Sequence, residues 1–409
     1  MSIKIPDNAP DNIELTRSLY LKDEVELMIM NSLLCKKSIN EILFWVAEFY
    51  YSGYCVELWD ILWRCYYDFY AFTNPKLEYT LLKKHCAWNK TRKRKINNVS
   101  KSKSIGYIID FIKTLRICSS TPDIFIFRLQ VEKCHSTTKL IKYKGRKPTI
   151  LSKYDNKYKH FIHSIHKNDK TNIMYYLNNY DPDELYLPMI TYFETDKNIQ
   201  LNKQHSLMIW NKLMYSKKHV LLGIYKMMFQ IETNVNSHKI IIKHNKENIA
   251  YMQGLRHYKG APHKFLKTMR HFNINKNIGC FALSRFQVDN LNTAIWYHWE
   301  YYAFNNPIWN ERFRIYNGVI NPNTKEIDFK NETYLEKFYE KYGYEPDEQS
   351  QDVHDKAYIP IQKQSISKWL NTIFGMNSSH YINNDNAVNS IIVENILGST
   401  RWKKLKYNK

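Results

Sequence analysis

The sequence predicts a mainly α, two-lobed protein built from helical hairpins, with a few short β-strands or one hairpin as decoration. Three observations carry this. Capping signals stand directly before apolar runs, the long periodic stretches repeat at helical intervals, and strand character is confined to two short places. With 409 residues the chain has room for two or three domains, each with its own core. Apolar residues make up 44% of it, and Tyr, Phe and Trp alone 15%, so those cores are large and rich in rings.

Taken in chain order, Asp23 precedes an apolar run and Glu26 follows three residues later, a capping box, with Val25, Met28, Ile29 and Leu33 at helical spacing. Ser38 and Glu41 repeat the device before Ile39, Ile42, Leu43 and Val46, and Ser52-Gly53 supplies the stop. These two helices are expected to form a hairpin. A third, from about Val56 to Phe72, is apolar nearly all round. Its charges Asp60, Arg64 and Asp68 fall four apart on one stripe, where they are expected to pair along the helix. Asn74-Pro75 ends it, because proline disfavours helix in the residue before it.

From Asn89 to Ser104 the character changes, with Lys90, Arg92, Lys93, Arg94, Lys95, Lys101 and Lys103 and no acid, which reads as a basic linker or exposed loop. A second basic turn runs from Lys142 to Pro148. Helices are expected again over Lys170 to Tyr180 and Ser206 to Gln230. Ile240 to Ile242, and Gly318 to Phe329 with its turn residues Asn321-Pro322-Asn323, have strand character. Tyr334, Leu335, Phe338, Tyr339 and Tyr342 mark a helix stopped by Gly343, and Pro346 opens the next. Residues Arg401 to Lys406 form a basic tail. The domains implied are an N-terminal helical domain at 1–90, a basic-loop and mixed middle region at 91–200, and a C-terminal helical domain with its tail at 201–409. An echo joins Asp68 to Pro75 with Glu300 to Pro307, each an aromatic helix running into Asn-Pro, and chance is the favoured reading of it.

Lys and Arg total 60 against 39 Asp and Glu, a formal charge of +21. Such a surplus favours a polyanionic partner. Part of it reflects the Lys, Asn, Ile and Tyr bias of AT-rich codons. Seven cysteines with no two-residue spacing read as reduced, buried thiols. Neither a leader nor a membrane-spanning run is expected, since Glu48 and Glu57 interrupt the most apolar segment.

The chemistry-bearing patterns are few. His160, His163 and His166 share one slanted helix edge, without a carboxylate or cysteine at ligand spacing, so a solvated basic face is favoured over zinc. The run Glu345, Asp347, Glu348, Asp352, His354 and Asp355 is the densest acidic cluster, but a two-metal nuclease needs carboxylates from separate elements. No phosphate loop, nucleophile elbow or zincin helix occurs, so no catalytic residue, metal ligand or cofactor is assigned. The nucleic-acid-binding candidates are Arg92, Lys93, Arg94 and Lys95, and Lys142, Tyr143, Lys144, Arg146 and Lys147, cations for a phosphate run with Tyr143 able to stack on a base. Such runs also serve as localisation signals, or as plain solvated loops.

The codon-biased composition, with Leu19 to Glu26, Tyr50 to Gly53, Tyr66 to Ala71 and Asn74 to Glu78, resembles a protein family of nucleocytoplasmic large DNA viruses, mimivirus-like, over about the first 90 residues. That resemblance implies a place in host cytoplasm, at a viral factory, or in the virion, and brings no activity. Trp45, Gly53, Asp68 and Asn74-Pro75 also resemble, in spacing alone, the helical collar of clamp-loader-like ATPases, whose nucleotide-binding domain has no counterpart here. The expectation is a non-enzymatic basic binding or scaffolding protein contacting nucleic acid during viral replication or transcription, with other viral proteins as further partners. A virion structural protein and a metal-dependent nuclease are the alternatives.

Overall fold

The computed structural model describes residues 13–92, 98–133, 140, 142–144, 148–196, 217–230, 242–257, 271–283, 291–321, 323–342, 361, 363–375 and 393–394. Over these the protein is mainly α, with a small antiparallel hairpin. Two compact units share the chain. The first gathers Met1–Leu62, Lys243–Trp369 and Glu394–Ile396, and the second Trp63–Ile242, Leu370–Val393 and Leu397–Lys409.

In the first unit α1 (Lys22–Leu34) and α2 (Ile39–Tyr51) form the expected hairpin. Ser38 caps α2, its side chain accepting from the Glu41 amide at 3.2 Å, and Ser52 with Gly53 (φ +98°) ends it. A Cβ on Gly53 would sit 3.0 Å from the Pro307 ring, so a side chain is excluded by contact as well as by φ. The cap expected at Asp23 is not formed. The helix begins two residues earlier than that cap would set it, because Leu21 is held in a bridge to Leu15 and the Lys22 amide donates to Glu14 O, which leaves Asp23 inside the first turn.

The rest of this unit comprises α3 (Glu57–Cys65), which continues into the second unit, then α11 (Lys246–Gly254), α12 (Leu291–Tyr297), α13 (Trp299–Phe304), α14 (Pro307–Ile315) and α15 (Glu332–Tyr342). The expected hairpin is there as β1 (Gly318–Ile320) and β2 (Ile327–Phe329), in register Val319 to Asp328. One core joins Leu15, Leu19 and Leu21 to Trp299, Trp309, Phe313 and Phe338. Its rings meet edge to face, tilted and stacked, Trp299 on Trp309 at 5.0 Å, Phe313 on Phe338 at 5.2 Å and Trp299 on Phe338 at 6.4 Å, arrangements that add to the burial energy of the rings themselves.

The second unit starts with the end of α3 and a wide π turn, Tyr66–Tyr70, in which the Ala71 amide reaches back to Tyr66 O. The third helix is thus not uniformly α over Val56 to Phe72. Asp68, on the π turn, accepts two hydrogen bonds from Arg128 of α6 (Asp123–Lys133), at 3.0 and 2.8 Å. Arg128 comes from another helix, which a stripe along α3 does not anticipate.

The expected basic linker is corrected at both flanks. Asn89, Lys90 and Arg92 are the last turn of α4 (Leu77–Arg92), and Lys101 and Lys103 lie in α5 (Asn98–Ile117). Lys and Arg are good helix formers, and Ile105, Ile108, Ile109 and Ile112 supply the buried face that a loop would lack. Then follow α7 (Asn156–His166), α8 (Lys170–Asn179), α9 (Pro182–Thr191) and α10 (Lys217–Gln230). A last helix, α16 (Ile366–Phe374), carries Trp369 against Phe281. Lys226 of α10 is buried and pairs with Glu78, which also accepts from Tyr67.

All described cysteines are free; Cys65, Cys118 and Cys280 are buried, while Cys35, Cys55 and Cys86 are partly exposed. Among the described residues no helix is long and apolar enough to cross a membrane. The acidic run at 345–355, Cys134, residues 206–216, Ile240 and Ile241, Gly343, Pro346 and the basic tail lie outside the described residues.

Candidate nucleic-acid interface

Two helices in contact, α7 and α8, make the platform. Each is amphipathic: α7 buries Phe161, Ile162 and Ile165, and α8 buries Ile173, Tyr176 and Leu177. Their outward positions are left to Lys157, His166, Lys167 and Lys170, all exposed. Asn168 (φ +53°) turns the chain between them, and Asp169 caps α8 by accepting from the Asn172 amide at 3.2 Å. Asn tolerates this left-handed backbone better than most residues, and Asp satisfies an orphan amide.

The segment Lys142–Lys144 is fastened to this platform by its middle residue. The Tyr143 hydroxyl gives its one proton to Asp169 at 2.7 Å, accepts from Asn172 Nδ2 at 3.0 Å, and lies 3.1 Å from Ser164 Oγ, which itself donates to His160 O. Its ring stacks on His160 (5.1 Å, 22°) and tilts over His163 (4.3 Å). Burial and the Asp169 carboxylate raise its pKa above that of a free tyrosine. Because alternate residues of a non-helical segment point to opposite sides, anchoring Tyr143 inward leaves Lys142 and Lys144 exposed together. The ring expected to stack on a base is half-buried and holds the segment in place.

Between Lys142 and Lys170 the sequence has eight lysines and Arg146 against Asp155 and Asp169. Asp169 is engaged with Tyr143 and the helix cap, so little acid remains to offset the cations. Lys157 reaches Glu184 at 2.8 Å, with both groups half open to solvent. So exposed a pair adds little to stability and opens easily.

The other candidate run is less fully placed. Arg92 is exposed at the end of α4, its guanidinium 5.4 Å from the Trp88 ring, where a cation also complements the helix dipole. Lys93, Arg94, Lys95, Arg146 and Lys147 lie outside the described residues. Among the described residues no hydrogen bond, ion pair or ring contact joins Arg92 to Lys142–Lys144. The solvated basic face expected of the three histidines is corrected: His163 is buried, it and His160 support the Tyr143 ring, and His166 Nδ1 lies 3.1 Å from the Tyr192 hydroxyl. No cluster of metal-ligating side chains is present among the described residues. Spacing alone cannot show that the edge receives a tyrosine from seventeen residues upstream of His160. Compared with protein-family models, curated proteins and solved structures, the chain matches none.

Proposed function

We propose that the protein binds nucleic acid without catalysis, through the exposed cations of Lys142–Lys144 and the α7–α8 hairpin, as a binding or scaffolding component of a large DNA virus. The observation that supports this best is the Tyr143 anchor, which holds Lys142 and Lys144 outward beside Lys167 and Lys170. Preorganised cations lose little freedom when they meet a phosphate run, and each neutralised phosphate releases counterions. The viral setting rests on the resemblance alone.

The test is a titration of the full chain with a short duplex over a range of salt. About four phosphate contacts give a log–log slope of about −3.6 on duplex DNA. Replacing both Lys142 and Lys144 by Glu is expected to bring the slope to about −1.8. An affinity that does not respond to salt, or a double variant with the wild-type slope, overturns the reading.

A further inference from the structure

Arg17 is a hub of the first unit. Its Nε donates to Glu48 at 3.2 Å, its two terminal nitrogens to the carbonyls of Arg256 (3.1 Å) and Leu255 (2.8 Å), and its amide to Ser52 Oγ at 2.9 Å. Two more guanidinium groups belong to the same neighbourhood. Arg312 of α14 lies over the rings of Trp309 (4.3 Å) and Tyr342 (5.0 Å), and Trp309 Nε1 donates to the carbonyl of Thr16, the residue before Arg17. Arg256, exposed on the turn after α11, acts with Arg17 on the charge of Tyr51, whose ring lies 5.1 Å from Arg17. Glu48 is the carboxylate that meets them, and its oxygens already accept from Arg17 and from the amide and hydroxyl of Ser18.

Two donors here are shut off from solvent with no hydrogen-bond partner, Arg312 Nη1 and the Tyr51 hydroxyl. Buried donors are ordinarily satisfied, and Arg312 Nη1 has no acceptor, since Glu48, the carboxylate that acts on it, is already bonded to Arg17 and Ser18. Burial, and then Arg17, pull the Arg312 pKa down, while burial pushes that of Tyr51 up to about 12 in spite of the two arginines. The shift at Tyr51 comes from burial, against which the arginines act, and that at Arg312 from burial and a neighbouring cation.

We propose that the Arg17, Tyr51, Arg256 and Arg312 cluster binds a phosphate group. A tetrahedral dianion offers oxygens in several directions, suits guanidinium forks, and balances the two cations that Glu48 leaves over. A single carboxylate matches neither the charge nor the number of donors. The site shares no residue with the α7–α8 face and stands or falls separately from it.

The test is calorimetric and thermal titration of the full chain with inorganic phosphate and with adenosine 5′-monophosphate, against chloride at equal ionic strength. Saturable binding with a rise in Tm is expected from phosphate or the nucleotide and not from chloride, and the tighter probe tells whether the group arrives free or on a nucleotide. Tyr51→Phe removes only an atom without a partner, so it is expected to fold normally and to bind about tenfold more weakly. Arg312→Gln is expected to abolish the Tm response. No saturable binding by the wild type to either probe, or unchanged binding in Tyr51→Phe, overturns the proposal.

Discussion

Asp68 and Arg128 show what a single pair does in the second unit. Both side chains are 1% exposed, and Arg128 also reaches Glu132 at 2.8 Å. Burial works to lower the Arg128 pKa, and the two carboxylates more than offset it, so the guanidinium ends above its ordinary value. Asp68→Ala takes away the larger share of that compensation and is expected to cost about 3–5 kcal/mol in urea unfolding, whereas Asp68→Leu with Arg128→Met should recover most of it. If Asp68→Ala costs under about 1 kcal/mol, the pair is not structural in this sense. Tyrosines give the pH dependence. Burial raises the pKa of Tyr51 to about 12 and those of Tyr54, Tyr66, Tyr186 and Tyr302 further. Below the free-tyrosine value both states keep the proton. Above it the unfolded chain releases protons that the folded chain retains, so stability falls as pH rises past about 10. Tyrosinate absorbance should therefore rise together with unfolding; full ionisation in a still folded protein would contradict it. None of these pairings was legible in the sequence, since 60 residues separate Asp68 from Arg128 and only the fold brings them together.

At the scale of elements, local signals succeeded where nothing distant competed. Ser38 and Gly53 mark the ends of α2 as expected, and the hairpin at β1 and β2 follows its strand and turn residues. Asp23 failed because a backbone bridge upstream set the start of α1, and the basic flanks failed because charge was read as loop where a buried face decides, Leu81, Leu82 and Trp88 for Lys90 and the isoleucines of α5 for Lys101. The two Asn-Pro stretches also part company. Asn306 caps α14, accepting from the Ile308 and Trp309 amides, and its Nδ2 donates to Ser52 O and the Tyr54 hydroxyl. Asn74 Nδ2 donates instead to the carbonyls of Tyr70 and Ser119. Asn306→Ala removes a cap and strands a buried carbonyl, so a loss of about 2–4 kcal/mol is expected by chemical denaturation. A loss below about 0.5 kcal/mol would mean that water replaces the side chain without penalty.

Over the whole molecule, the net charge of +21 was plain from composition, but composition says nothing about where charge gathers. The stretch from Lys142 to Lys170 holds a third of that surplus, and the Tyr143 anchor that organises it is invisible without the fold. The salt slope tests that concentration directly, because scattered lysines would let a charge reversal at Lys142 and Lys144 go nearly unnoticed.

The first unit is assembled from stretches lying before and after the second. On the ribosome, Leu15, Leu19 and Leu21 emerge some 270 residues ahead of Leu291 to Phe338, which complete that core. At a synthesis rate of about 5–20 residues per second these leucines wait for tens of seconds without the partners that cover them. Chaperone dependence during translation, and poor recovery of the N-terminal segment made alone, are therefore expected from chain order and not from any weakness in the finished structure.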